Sequence, residues 1–264
     1  MNKYSIGYRL SFDYIHPQDT ENFIKNYLEF FDRFEIKLTE DLVSYGELRF
    51  ILKVSEKLAS GKYSIHVYKD VLYNAEAYNK MVNLIKVFEN FEPSDKVYLI
   101  THIPYGNCSE YLPKVLEIAS ILPNNYVLLL ENVDLDRNNV DYLKQIYNMC
   151  KVLEANNIEN VGLCLDIGHL LYGCSKEKIS EPMTLFMLQE NQMLLSKVMQ
   201  IHLHDYNKQD HLQLNTGIMN LSAVSEFIVK NKLDVPIIIE SRVKSPENDG
   251  IKQIKIMEEL LEES

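Results

Sequence analysis

Most of the chain's histidines, and several of its acidic residues, stand where short apolar runs end. Reading each run to its C-terminal end gives YSI before His66, VYLIT before His102, VLLL before Glu131, VGLCL before Asp166, MQI before His202-Leu-His204-Asp205, and PIII before Glu240. His169 follows Asp166 by three residues and His211 lies beyond the fifth of these runs, so six of the seven histidines belong to the set. His16 stands apart, after the first apolar run. Imidazole nitrogens and carboxylate oxygens together bind divalent ions of the first transition row, whereas calcium and magnesium prefer oxygen alone. A carboxylate held out of water also moves protons as a general acid or base. Any one of these residues taken alone is more often a hydrogen-bonded structural group. Five or more gathered at one point would repel one another or stay unsatisfied without a cation, so zinc or manganese is the expected cofactor.

Gathering them requires elements that end at one place. The candidate strands are Tyr4–Leu10, Arg33–Leu38, Tyr63–Tyr68, Val97–Thr101, Tyr126–Leu130, Val161–Leu165, Met199–Leu203 and Val235–Ile239. Between them, apolar residues recur at three- and four-residue steps over Asn74–Phe91, Glu110–Leu122, Asn139–Asn156, Ser222–Asn231 and Gly250–Glu262, which predicts helices, with Ser222 as an N-cap. Runs such as VLLL and PIII are apolar without alternation, as parallel strands buried on both faces must be. Eight β/α units in 264 residues leave about 33 residues each, which predicts an α/β fold of one (β/α)8 TIM barrel over residues 1–264. Strands three to eight then deliver their terminal polar residues to the C-terminal mouth, where barrel active sites lie. The stretch Leu170–Ser196, interrupted by Gly173 and Pro182, has the position of a lid beside that mouth.

Composition narrows the partners. With 27 Lys and Arg against 38 Asp and Glu, the formal charge of −11 gives no global attraction to nucleic acid or anionic membrane. No run approaches the roughly 20 apolar residues that cross a bilayer, and MNKYSIGYRLSFD lacks the apolar centre of a secretory signal, so a cytoplasmic protein with no membrane partner is expected. Cys108, Cys150, Cys164 and Cys174 form no C-x-x-C pair and read as reduced packing thiols. The phosphate-cradling patterns G-x-x-x-x-G-K-[ST] and G-x-G-x-x-G are absent. Basic residues near the mouth, Lys69, Arg137, Lys176, Lys208, Arg242 and Lys244, are scattered. Arg242, two residues past Glu240, is the candidate to hold a substrate phosphate or hydroxyl, because a guanidinium makes paired hydrogen bonds to oxyanions. Tyr68, Tyr73, Tyr105, Tyr172 and Tyr206 follow strand ends and can stack on a sugar face, an exposed base, or each other.

The ordered set LLLENVD around Glu131, CLDIGH ending at His169, IHLHD ending at Asp205, DHLQLNTG from Asp210 and IIIES around Glu240 resembles the xylose-isomerase-like barrel superfamily. That superfamily holds sugar and sugar-phosphate isomerases and epimerases together with zinc-dependent apurinic-site endonucleases. The resemblance implies a metal site of Glu131, Asp166, His202 and Glu240. In its isomerase branch, Glu131 and Glu240 would also be catalytic, one removing a proton beside a metal-bound carbonyl and the other returning one, while His169 contacts substrate oxygen. The endonuclease branch would use three zinc ions and also engage His66, His102, His169, His211 and an aspartate two residues before the last histidine. That position here is Gln209, with Asp210 adjacent to His211, and strand one leads into SFDYIHPQ in place of a glycine-rich opening. His66, His102, His169 and His211 are thus candidates for a second metal or for substrate. The resulting expectation is a metal-dependent isomerase or epimerase of a sugar, sugar phosphate or related polyol. The alternatives are a zinc-dependent phosphodiesterase acting on DNA and a non-catalytic barrel that binds a ligand.

Overall fold

The computed structural model describes residues 4–11, 33–38, 62–67, 71–89, 93–104, 108–133, 138–242 and 246–264. His16, Tyr68, Lys69, Tyr105, Arg137 and Lys244 lie outside these residues, as do the connections from the first strand to the third. Eight parallel strands close a barrel in chain order: β1 (Ile6–Ser11), β2 (Arg33–Lys37), β3 (Tyr63–His66), β4 (Val97–His102), β5 (Tyr126–Glu131), β6 (Val161–Asp166), β7 (Val198–Leu203) and β8 (Ile237–Ile239). The chain is a (β/α)8 TIM barrel. The last strand is shorter than the sequence predicts because Pro236 has no N–H for the ladder; its carbonyl instead accepts from the Ile201 N–H at 2.8 Å.

Among the described residues eight helices follow: α1 (Ala75–Phe88), α2 (Cys108–Ile121), α3 (Asn139–Ala155), α4 (Ile167–Lys176), α5 (Glu181–Gln189), α6 (Gln192–Ser196), α7 (Leu221–Lys230) and α8 (Ile251–Glu263). The N-cap of α7 is Asn220 and not Ser222: the Asn220 side chain accepts the Ala223 N–H at 3.1 Å, so the helix begins one residue before Ser222. The stretch considered as a lid is folded as α4, α5 and α6, with α5 packed between α4 and α7 and α6 against α3. Leu185, Leu188, Leu194 and Leu195 are buried there, which makes it part of the helical layer.

Side chains alternate across a strand, and the barrel uses both sides. One set packs between sheet and helices in the large core, including Leu128, Leu130, Leu163, Leu165, Ile201 and Leu203. The other points inward, where Ile100, Val127, Leu129 and Cys164 form a small apolar plug. The same period puts the next inward residue toward the mouth at His102, Glu131 and Asp166, one layer above the plug. Register aligns these ends: His102 lies opposite Glu131, and Asp166 opposite His202.

Candidate metal centre

Glu131 and Asp166 end β5 and β6, His202 is the penultimate residue of β7 and Glu240 follows β8, and all are at most 1% exposed. One ligand atom from each lies within 4.8 Å of the others, a spacing that a single divalent ion can span. His202 Nδ1 is 2.8 Å from Glu131 Oε1 and 2.9 Å from Glu240 Oε1. Asp166 is also the N-cap of α4, where its Oδ1 accepts the His169 N–H at 2.6 Å. Asn132 brackets the Asp166 backbone, donating to its carbonyl at 2.8 Å and accepting from its N–H at 2.9 Å, while Asp166 Oδ2 makes no hydrogen bond.

Burial and neighbours pull these groups apart electrostatically. Burial raises the Asp166 pKa well above the usual carboxylate range, and the charges of Glu131 and Glu240 push it the same way. Burial also disfavours charge on Glu131, but His202, His66 and His102 outweigh it and hold that carboxyl well below its ordinary value. For Glu240 the opposing groups are Arg9, which is ion-paired with it, and His202. His202 itself is raised well above an ordinary imidazole: burial lowers it, and Cys164, Glu240, Glu35 and Glu131 more than reverse that. Four buried carboxylates, counting Glu35, thus face one permanently charged cation, Arg9. Gathering so many acidic groups out of water is costly unless Asp166 keeps a proton or a cation joins them, and the second is the chemical fit of this donor set to a divalent metal.

The other four candidate histidines divide into two places. His66 Nε2 and His102 Nε2 lie 2.8 and 3.2 Å from Glu131 Oε2, and the three residues form a second group spaced for an ion. The His66 Nδ1–H donates to the Val67 carbonyl at 2.9 Å, because a carbonyl only accepts, and this aims Nε2 at Glu131. His169 and His211 stand across the mouth with His204, their ring centroids 4.4 to 4.8 Å apart. Gly168 permits this packing, since a Cβ there would lie 2.7 Å from the His204 ring. Distance alone would let these three hold an ion. His204 Nδ1 lies between the His211 N–H at 3.0 Å, which can only donate to it, and the Asp205 carbonyl at 3.1 Å, which can only accept from it; the first pairing puts the ring proton on Nε2, and the second leaves Nε2 free.

Above these groups opens a cavity of about 590 Å³, lined by Arg9, Lys37, Tyr73, His102, His169 and His211 together with Ile103, Pro104, Tyr111 and Val133. Among the described residues, the cations lining it are Arg9 and Lys37, from β1 and β2. Arg242 is 69% exposed, 3.7 Å from Asp210, and does not line it. Asp205 belongs to the loop's own framework, accepting the N–H groups of Tyr206, Gly217 and Met219. Tyr206 is buried with its hydroxyl on Glu181, and Tyr172 donates to the Lys208 carbonyl. Arg9, Glu35 and Gln200 were not singled out in the sequence because they lie within strands; a charged or amide residue at an inward-facing position of an apolar run is the signal that finds them.

A closed parallel barrel with imidazole and carboxylate groups gathered at its C-terminal mouth defines the class. Residues 99–260 match the xylose isomerase-like TIM barrel family, and the chain belongs to it. Among solved structures, D-allulose 3-epimerase from Methylomonas sp. superposes with a TM-score of 0.66 at 15% identity, covering 99% of both chains. A xylose isomerase-like TIM barrel protein from Mycobacterium smegmatis in complex with magnesium gives 0.64 at 13%, covering 98% of this chain and 96% of that one. A family 2 AP endonuclease from Brucella melitensis gives 0.58 at 10%, covering 91% and 94%. At these identities the likeness shows the fold. A sequence comparison with curated proteins gives no match. Among the described residues, no helix is long and apolar enough to cross a membrane.

Proposed function

We propose that this protein is a metal-dependent isomerase or epimerase of a sugar, sugar phosphate or related polyol. The observation that carries this reading is the pair Glu131 and Glu240, buried on β5 and β8, with carboxylates that meet the same nitrogen of His202 below a cavity of about 590 Å³. Glu131, Asp166, His202 and Glu240 would hold the ion, zinc or manganese by donor type. A divalent ion held there supplies Lewis acidity toward a substrate carbonyl. One glutamate takes the proton from the carbon beside the carbonyl, and the other returns a proton to that carbon or its neighbour. Two carboxylates approaching from different strands suit transfer on different faces of the substrate. Arg9 keeps Glu240 ionised, while His169, on the cavity wall, is placed to meet substrate oxygen. The D-allulose 3-epimerase fold match is consistent with such chemistry.

Incubating metal-loaded protein with ketoses and their phosphates in D₂O tests this. Deuterium is expected at the carbon beside the carbonyl, and Glu240→Gln should lower the rate at least a hundredfold, within the ordinary contribution of a general acid or base. A second reading, a metal-dependent phosphodiesterase acting on DNA, draws on the additional group His66, His102 and Glu131, which offers more ligands than one ion needs. Absence of exchange from every sugar, together with metal-dependent nicking of abasic DNA, would replace the first reading with the second.

A further inference from the structure

Beneath the four proposed ligands lies a polar cluster that the proton-transfer chemistry does not use. Glu35 sits in the middle of β2, fully buried, at an inward position. Its Oε2 accepts from Ser64 Oγ at 3.0 Å and from Gln200 Nε2 at 2.8 Å, and lies 2.9 Å from His202 Nε2. Gln200 Nε2 is also 2.8 Å from His202 Nε2. Of the three atoms in this triangle, the carboxylate oxygen can only accept and the amide nitrogen can only donate. The Gln200 amide therefore donates to Glu35, and Glu35 is the acceptor that a proton on His202 Nε2 would meet.

We propose that Glu35 is a positioning residue whose carboxylate holds a proton of His202 on Nε2 and so leaves Nδ1 to face the ion that Glu131, Asp166 and Glu240 would share with it. This role rests on the metal cradle proposed above and is independent of the carbohydrate chemistry. A ligating imidazole is generally oriented by an acceptor on its other nitrogen, which fixes ring and tautomer and strengthens the donor. His66 has the Val67 carbonyl for that purpose. Among the described residues His202 has no backbone acceptor on Nε2, and in its place stands a buried carboxylate, held by Ser64 from β3 and Gln200 from β7. Glu35 lies close enough to be a ligand itself, grouped with His66, His202 and Glu240. Its Oε2 already receives Ser64, Gln200 and His202, while its Oε1 makes no hydrogen bond among the described residues, so zinc measurements decide between positioning and ligation.

Zinc titration of the purified chain, followed by competition with a chromophoric chelator, measures the role. Glu35→Leu should weaken zinc binding 10- to 100-fold with the number of ions unchanged, in the range expected for an outer partner of a ligating histidine. Glu35→Gln, whose amide oxygen can still accept from Nε2–H, should recover most of the affinity. Long-range proton–nitrogen correlation on ¹⁵N-labelled, zinc-loaded protein reads the tautomer directly, with the His202 signals assigned by their loss in His202→Asn. Wild type and Glu35→Gln should show hydrogen on Nε2. Should Glu35→Leu prove unfolded by circular dichroism, affinity and tautomer in Glu35→Gln still decide. Wild-type affinity in Glu35→Leu, or hydrogen on Nδ1 of His202 in the wild type, overturns the positioning role and leaves the cradle standing. Loss of zinc as complete as in Asp166→Ala makes Glu35 a ligand and also overturns it. A wild-type chain that takes up no zinc removes the cradle, and this role with it.

Discussion

His202 and His204 are two residues apart on one strand end, equally buried, and driven in opposite directions. His202 is held well above the ordinary imidazole pKa, while His204 is lowered to about 3, by burial and then by His211. The difference lies in company. His202 stands among carboxylates from β2, β5 and β8, in a region that wants positive charge; His204 stands among His169 and His211, with its Nδ1 between the His211 N–H and the Asp205 carbonyl. Burial alone disfavours charge on both, so the residues around each ring decide: carboxylates favour charge on His202 in the floor, while His204 in the rim is kept uncharged beside His211, whose own pKa Asp210 and Glu240 raise against burial.

The largest expected effect breaks the floor. Asp166→Ala removes a ligand that three other elements cannot replace, and elemental analysis should find metal in the wild type and almost none in the variant. Ion binding to the native state alone adds about 2.7 kcal/mol at a free concentration a hundred times Kd. For a chain of this size that raises Tm by roughly 5–10 °C, reversed by chelator and missing from Asp166→Ala. Equal metal content in both proteins would remove the floor's assigned purpose.

The rim should respond to acid instead. A histidine kept neutral in the fold has a folded pKa below its unfolded value, so between the two the unfolded chain binds more protons and stability falls as pH falls. For His204 the window runs from 6.5 down to about 3. Between pH 7 and pH 5 its contribution to that loss is about 2 kcal/mol, at 1.36 kcal/mol per pKa unit. Urea unfolding of chelator-treated protein at the two pH values should therefore show a smaller acid loss in His204→Asn than in the wild type. An identical loss in both would mean that His204 already carries its proton in the fold and that the rim does not differ from the floor.

How far this division could be read from sequence depends on where its residues sit. The barrel was legible because parallel strands buried on both faces leave unbroken apolar runs, and the floor because Glu131, Asp166, His202 and Glu240 terminate such runs. Arg9 and Glu35 sit inside theirs, and only closure of the barrel sets β1 and β2 beside β8 and β3 and turns those side chains inward. His204 shows a different limit. Its chain position matches that of a ligand, and its tautomer depends on a backbone N–H seven residues away in a loop where His211 takes a positive φ of 54°. Arg242 was drawn toward the substrate by its nearness to Glu240 in sequence, yet past the strand end the chain turns it outward to Asp210.

That displacement supports the smallest prediction. An exposed pair at 3.7 Å is worth less than about 1 kcal/mol, so Arg242→Ala should leave unfolding midpoints nearly unchanged. It should also leave discrimination between a sugar and its phosphate untouched, because the cations on the cavity wall among the described residues are Arg9 and Lys37. Lys37→Met is the informative contrast: it removes a wall charge without touching the Arg9 pair with Glu240. If the substrate carries a phosphate, KM for the phosphorylated sugar should rise in Lys37→Met and stay within about twofold in Arg242→Ala, since a change that removes only uniform binding raises KM and spares kcat. A rise confined to Arg242→Ala would return that residue to the substrate and show that the exposed guanidinium swings inward on binding.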